Sequence, residues 1–196
     1  IIKNKLLKYN ANVKLTKKKH LSGTSRVSEI TKYYKFDYAC ILFADEPFIN
    51  PNQLSMSIKK INQYKKTKVF NLITNLKQND IHSKEVVKTV TDKNQNIINY
   101  FRKFHKNFKK KKIKKSSGIL IFEKDLIDKY NGLKIGKNEK KLKIEQFRLL
   151  ENNFKIKSIF IKDINPSINT KKEFNLLLSL VSKDQKEIKY LNKVKK

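Results

Sequence analysis

Asp45–Glu46 is the only adjacent acidic pair in a chain of formal net charge +30. Two neighbouring carboxylates could serve as catalytic acids, hold a metal ion, or sit in a turn that starts a helix. On an extended strand, neighbouring side chains point to opposite faces and do not meet one substrate. No nucleophile or metal partner stands nearby in the sequence. The residues therefore read as a strand-to-helix turn, with carboxylates near the positive end of the next helix. Such charges contribute roughly 0.3–1 kcal/mol there. On that reading, Glu46→Gln alters only local stability.

The other chemistry-bearing types are scattered. Ser116–Gly118 and the Gly132/Gly136 pair do not form a phosphate loop, because neither G-x-x-x-x-G-K-[S/T] nor G-x-G-x-x-G occurs. His20, His82 and His105 are far apart, and Cys40 is the only cysteine. Neither a zinc site nor an intrachain disulfide is expected.

Charge is the strongest signal. Lys and Arg total 47 against 17 Asp and Glu, a balance that points to a polyanionic partner, most often nucleic acid. Two blocks concentrate it. The arm Lys14–Lys35 contributes Lys14, Lys17, Lys18, Lys19, Arg26, Lys32 and Lys35. The run "RKFHKNFKKKKIKK" contributes Arg102, Lys103, Lys106, Lys109, Lys110, Lys111 and Lys112, with aromatics that could stack on bases or anchor to a core. Self-repulsion predicts a native state assembled with its counter-charge. The longest apolar run, "FNLLLSLV", is too short to span a bilayer. No targeting signal is visible at "IIKNKLLKYN", which lacks an initial Met. Abundant Lys, Asn and Ile with little Ala or Gly suggest an A/T-biased genome, such as an organelle's.

The elements that must position these residues follow from pattern. Residues 1–36 read as an extended basic arm. "DYACILF", "KVFNLIT", "IINYF", "GILIFEKD" and "IKSIFIK" read as strands. Asn50 fits an N-cap, Pro51 the first helical position and Gln53 a capping box, with Leu54, Ile58 and Ile61 on one face. Residues 75–96 read as a polar loop and 126–141 as an insert that loops out. A helix is expected over 142–154. Thr170 and Glu173 stand at capping-box spacing before another, with Phe174, Leu177, Leu178 and Val181 on one face, and a charged helix or tail closes the chain.

Taken in order, Lys17–Ile61, "KVFNLIT", and "SGILIFEKD" with "EQFRLLENNFKIKSIFI" resemble the large-subunit ribosomal protein sixteen family. The resemblance rests on His20, Phe36, Glu46, Pro47, Phe48, Ile49, Gln53, Lys59 and Lys60, then Arg148, Leu149, Lys157 and Phe160. The family's glycine-rich loop is here the glycine-free "VVKTVTDKNQN", and Lys155 replaces its last proline. The resemblance implies an α+β fold of the α/β-hammerhead kind, a mixed or antiparallel sheet with two packed helices. The chain then divides into a basic arm over 1–36, a core over 37–162 whose basic stretches near 102–117 and 126–141 look like insertions in the family pattern, and a helical extension over 163–196 that has no counterpart in the family. The implied role is a structural constituent of the large ribosomal subunit, and the A/T-biased composition and the divergence from the family suggest a mitochondrial ribosome or else a plastid one. His20, Lys59, Lys60 and the basic blocks would bind rRNA, and Lys84, Lys88 and Lys93 would approach tRNA at the aminoacyl site. Neighbouring ribosomal proteins would be partners, with no catalysis, cofactor, metal, membrane or homo-oligomer. Two alternatives stay open: an RNA-binding ribosome-assembly factor, and an enzyme acting on RNA.

Overall fold

The computed structural model describes residues 1–17, 19–46, 49–104, 113–162, 168 and 170–183. Six strands form one sheet: β1 (Tyr38–Ile41), β2 (Val69–Asn75), β3 (Lys88–Thr91), β4 (Asn96–Phe101), β5 (Lys114–Glu123) and β6 (Ile156–Phe160). Their order is β1-β5-β2-β6-β4-β3. Strand β5 is antiparallel to β1, β2 and β3, β2 is parallel to β6, and β4 is antiparallel to β3 and β6. Hence β1, β2, β3 and β6 run one way, and β4 and β5 the other.

Alternation along the central strands sends apolar side chains to both faces. Val69 and Ile73 of β2, with Leu120 and Phe122 of β5, join one core. Phe70 and Leu72, with Ile119 and Ile121, join the other. Three further helices close the first core: α2 (Gly23–Thr31), α4 (Lys124–Lys129) and α6 (Phe147–Glu151), following the short terminal helix α1 (Ile2–Leu7). The second is covered by α3 (Pro51–Ile61) through Leu54 and the buried Ile61. A sheet with helices on both faces is a three-layer α/β arrangement. It is not the hammerhead with two packed helices that the resemblance implied.

The difference has a physical origin in α2. Its buried residues are Thr24, Ser25, Ser28 and Thr31, a helical face built from hydroxyls. Hydrophobic periodicity is blind to such a face, so the segment read as extended. It is held by polar contacts instead. Ser22 caps it by accepting from the Ser25 N–H. Glu145 accepts from the Thr24 N–H at 3.1 Å and from Thr24 Oγ1 at 2.9 Å. Ser25 Oγ donates to Asn131 Oδ1 at 2.6 Å, and Asn131 Nδ2 donates back to the Ser25 carbonyl at 3.0 Å.

The stretch read as looping out is mostly helical and partly core. Leu126, Ile127 and Tyr130 are buried, and α5 (Lys137–Leu142) follows with Lys143 in the left-handed region at φ 53°. The polar loop also conceals β3. Asp92 turns the chain into β4 by accepting from the Asn96 N–H at 2.8 Å, with Gln95 at φ 62°. The last described helix, α7 (Lys171–Lys183), has the capping box expected for it: Thr170 N–H donates to Glu173 Oε2 at 2.8 Å, and Glu173 N–H to Thr170 Oγ1 at 3.2 Å. Among the described residues no helix is long and apolar enough to cross a membrane.

Candidate active site

Strand β5 is longer than the partners on its outer edge. Strand β1 pairs with it over Leu120–Glu123, and β3 over Lys114–Lys115. Between them lies an edge gap at residues 117–119. The chain leaving the carboxyl end of β1 turns there. The Glu46 N–H donates to the Phe43 carbonyl at 3.0 Å, closing a turn. The Gly118 N–H donates to Glu46 Oε1 at 2.8 Å. The absence of a Cβ makes room for this approach: a Cβ on Gly118 would lie 2.8 Å from the Phe43 ring and 2.9 Å from Glu46 Oε1, so both side chains would have to shift. Gly23 makes room for the same ring, since its Cβ would lie 2.2 Å from Phe43 Cε1.

This turn lines a cleft of about 1080 Å³. The other walls come from residues 79–87, from Arg102, from Lys115–Gly118, from residues 135–146, and from Thr170, Glu173 and Leu176. The Ile168 N–H donates to the Asp45 carbonyl at 2.7 Å, which sets Ile168 against the turn. Ligands of open α/β sheets bind beyond the carboxyl ends of strands, which is where this cleft lies.

The adjacent carboxylates therefore line one cleft together. The alternation that sets neighbours on opposite faces applies to extended chain, and Asp45 is in a turn. The lining also reverses the charge of the protein. It holds Asp45, Glu46, Asp80, Glu85, Glu139, Glu145 and Glu173 against Arg102, Lys115, Lys140 and Lys143. Most of these acids are engaged: Glu46 by Gly118, Asp80 by Lys115 at 3.2 Å, Glu145 by Thr24 and Glu139 by Arg148. Asp45 is exposed to the cleft. Among the described residues no group of three His, Cys, Asp or Glu side chains could hold a metal ion by itself.

The cations singled out in the sequence do not converge. Lys14, Lys17, Lys19, Arg26, Lys32 and Lys35 are exposed along the N-terminal segment, Lys59 and Lys60 in the last turn of α3, and Lys84, Lys93 and Lys103 in loops. His20 is turned inward, with Nδ1 2.9 Å from Ser25 Oγ and Nε2 2.8 Å from Glu29 Oε2. Lys18, Lys106, Lys109, Lys110, Lys111 and Lys112 lie outside the described residues. Of the described members only Arg102 lines the cleft. Its guanidinium donates to the carbonyls of Lys84, Glu85, Leu142 and Lys143, tying two walls together.

Lys88 is fully buried. Its ammonium donates to the carbonyls of Ser83 at 2.7 Å, Val86 at 3.0 Å and Arg102 at 2.8 Å. Burial pushes its pKa below the usual 10.5, with Arg102 and Lys115 adding to the effect and Asp80 opposing it. Replacing Lys88 by Met is expected to cost about 2–3 kcal/mol, because three carbonyls lose a charged donor. Between the lowered pKa and 10.5 the unfolded chain binds more protons than the folded one, so wild-type stability rises with pH there. Denaturant unfolding should therefore show the gap between wild type and K88M wider at a pH near 10.5 than at neutral pH. An equal gap at both would contradict the assignment.

The sequence matches the cytidylyltransferase family over residues 1–162. It is 30% identical over 176 residues to the 3-deoxy-manno-octulosonate cytidylyltransferase of Elusimicrobium minutum, covering 86% of this chain and 72% of that protein. It is 27% identical over 177 residues to that of Chlorobium limicola, covering 86% and 71%. Among solved structures, a CMP:2-keto-3-deoxy-manno-octonic acid synthetase complexed with CTP superposes with a TM-score of 0.83 at 21% identity, covering 92% of this chain and 76% of that one. The fold is thus a Rossmann-like nucleotidyltransferase fold.

These findings overturn the ribosomal resemblance and what it implied. The role as a ribosomal constituent, the assembly-factor and RNA-enzyme alternatives, and the partners rRNA, tRNA and ribosomal proteins are all set aside. So is the mitochondrial or plastid placement, since the relatives are bacterial proteins. The expectation of no catalysis fails as well, because the matched family is one of enzymes. A basic composition reports on the field around a protein and not on its fold. The chain belongs to the cytidylyltransferase family.

Proposed function

We propose that this chain transfers a cytidylyl group from CTP to a hydroxyl of 3-deoxy-manno-octulosonate and releases pyrophosphate. The acceptor oxygen forms a bond to the α-phosphorus of CTP as the bond from that phosphorus to the β-phosphate bridging oxygen breaks. The electron pair leaves with pyrophosphate, and the acceptor's proton passes to solvent or a base. The observation that carries this reading is the Asp45–Glu46 turn. It stands in a cleft at the carboxyl end of β1, in a chain that matches cytidylyltransferases along most of its length.

The lining's acidic excess bears on how a triphosphate enters. A bare polyanion would be repelled by these carboxylates. Mg²⁺ is characteristically bound by one or two carboxylates together with substrate phosphates, not by an all-protein cage. The exposed Asp45 carboxylate fits that requirement and would hold the ion. When bound, Mg²⁺ would neutralise charge on the phosphates. Glu46 anchors the turn on β5, Lys140 and Lys143 offer exposed cations on the α5 wall, and Arg102 holds the loop before β3 against that wall.

The test is pyrophosphate release with CTP, Mg²⁺ and 3-deoxy-manno-octulosonate, with the CMP–sugar ester identified by phosphorus NMR. Release that requires both CTP and the acceptor is expected. No release, or release indifferent to the acceptor, would defeat the reading.

A further inference from the structure

Asn71 is a fully buried amide in the central strand β2. Opposite it, the pairing of β2 with β5 is irregular. Asn71 faces Leu120 and Ile73 faces Ser116, so Leu72 alone stands against Ser117, Gly118 and Ile119. Such a bulge leaves backbone groups outside the ladder, and an orphaned buried polar group costs about 1–3 kcal/mol.

Here side chains satisfy them. Asn71 Nδ2 donates to the carbonyls of Ser117 at 3.1 Å and Ile119 at 3.0 Å. Its Oδ1 accepts from Ser116 Oγ at 2.6 Å and Tyr100 Oη at 3.1 Å. Ser117 Oγ donates to the Leu72 carbonyl at 2.8 Å and accepts from the Ile119 N–H at 3.1 Å. The remaining donor at the bulge's centre, the Gly118 N–H, points to Glu46.

We propose that Asn71 is a positioning residue: it holds the β5 bulge in the shape that presents the Gly118 N–H to Glu46, and so sets the Asp45–Glu46 turn in the cleft. It acts from within the sheet and lies outside the cleft lining. Burial keeps the Tyr100 phenol protonated by raising its pKa, so Tyr100 serves as a steady donor to Asn71. The catalytic part of the inference rests on the cytidylyl-transfer reading.

The experiment has a structural arm and a catalytic arm. In the first, amide hydrogen exchange is followed at Gly118 in wild type, Asn71→Leu and Gly118→Ala. Loss of protection at residue 118 by about tenfold or more is expected in both variants, while the β2–β6 amides stay protected. Unchanged protection in Asn71→Leu overturns the proposal whether or not the protein turns over CTP. In the second, kcat should fall about ten- to hundredfold in Asn71→Leu, as expected for a misplacement near 1 Å, with the KM for CTP little changed. The double variant with Glu46→Leu, which removes the acceptor of the Gly118 N–H, should lose no more than the worse single variant, because both act on one contact. Additive losses would assign Asn71 a merely structural role and overturn the proposal. If Asn71→Leu does not fold, Gly118→Ala decides, since its Cβ displaces the turn without touching Asn71. Full kcat in that variant overturns the proposal. Wild type without CTP turnover would defeat the functional reading alone, leaving the exchange arm to judge Asn71.

Discussion

Asp45→Asn is expected to lower kcat for cytidylyl transfer by about 10²–10³-fold, the effect of losing several kcal/mol of transition-state charge stabilisation. The side chain is exposed to the cleft, and its backbone carbonyl would still accept from the Ile168 N–H. Stability should therefore change by no more than about 0.5 kcal/mol, as for an ordinary surface substitution. Steady-state kinetics and thermal unfolding of the same preparation check both halves. A variant that keeps wild-type kcat would remove Asp45 from the reaction. One that loses activity only in step with stability would make it structural.

Arg148→Ala is expected to give the largest stability loss, about 3–5 kcal/mol. Arg148 is 2% exposed and Glu139 7%. Arg148 Nε donates to Glu139 Oε2 at 2.9 Å and Nη2 to Oε1 at 2.5 Å, while the guanidinium stacks 4.6 Å from the Tyr130 ring. Truncation would leave a buried carboxylate without its cation and a void beside the ring. For a chain of this size that corresponds to a Tm lower by roughly 6–20 °C, read by calorimetry. Replacing both partners with apolar residues of similar volume, Arg148→Met with Glu139→Leu, should recover much of the loss. A double variant as unstable as Arg148→Ala would show that the pair itself carries the packing.

Parts of the fold were readable because their signals are local. The apolar runs that became β2, β5 and β6 alternate between two cores, and burial on both faces made them continuous. The start of α3 was written in Asn50 and Pro51, and Asn50 indeed accepts from the Asn52 N–H at 2.9 Å. Other parts were unreadable for definite reasons. Strand β3 contains Lys88, whose burial depends on carbonyls contributed by residues 83, 86 and 102. Helix α2 buries the hydroxyls of Thr24 and Ser25, which donate to Glu145 and Asn131, more than a hundred residues away.

The candidate site divides along the same line. By itself the sequence determined that Asp45–Glu46 is a singular feature, placed between a strand and a capped helix, in a protein of strongly positive charge. Those facts depend on residue type and near neighbours alone. Only the tertiary structure decided that the two carboxylates share a cleft. That outcome depends on β5 outrunning β1, on a bulge satisfied by Asn71, and on a glycine at position 118 that lets the turn approach. Each is a contact between segments far apart in the chain, where spacing along the sequence carries no information about which side chains meet.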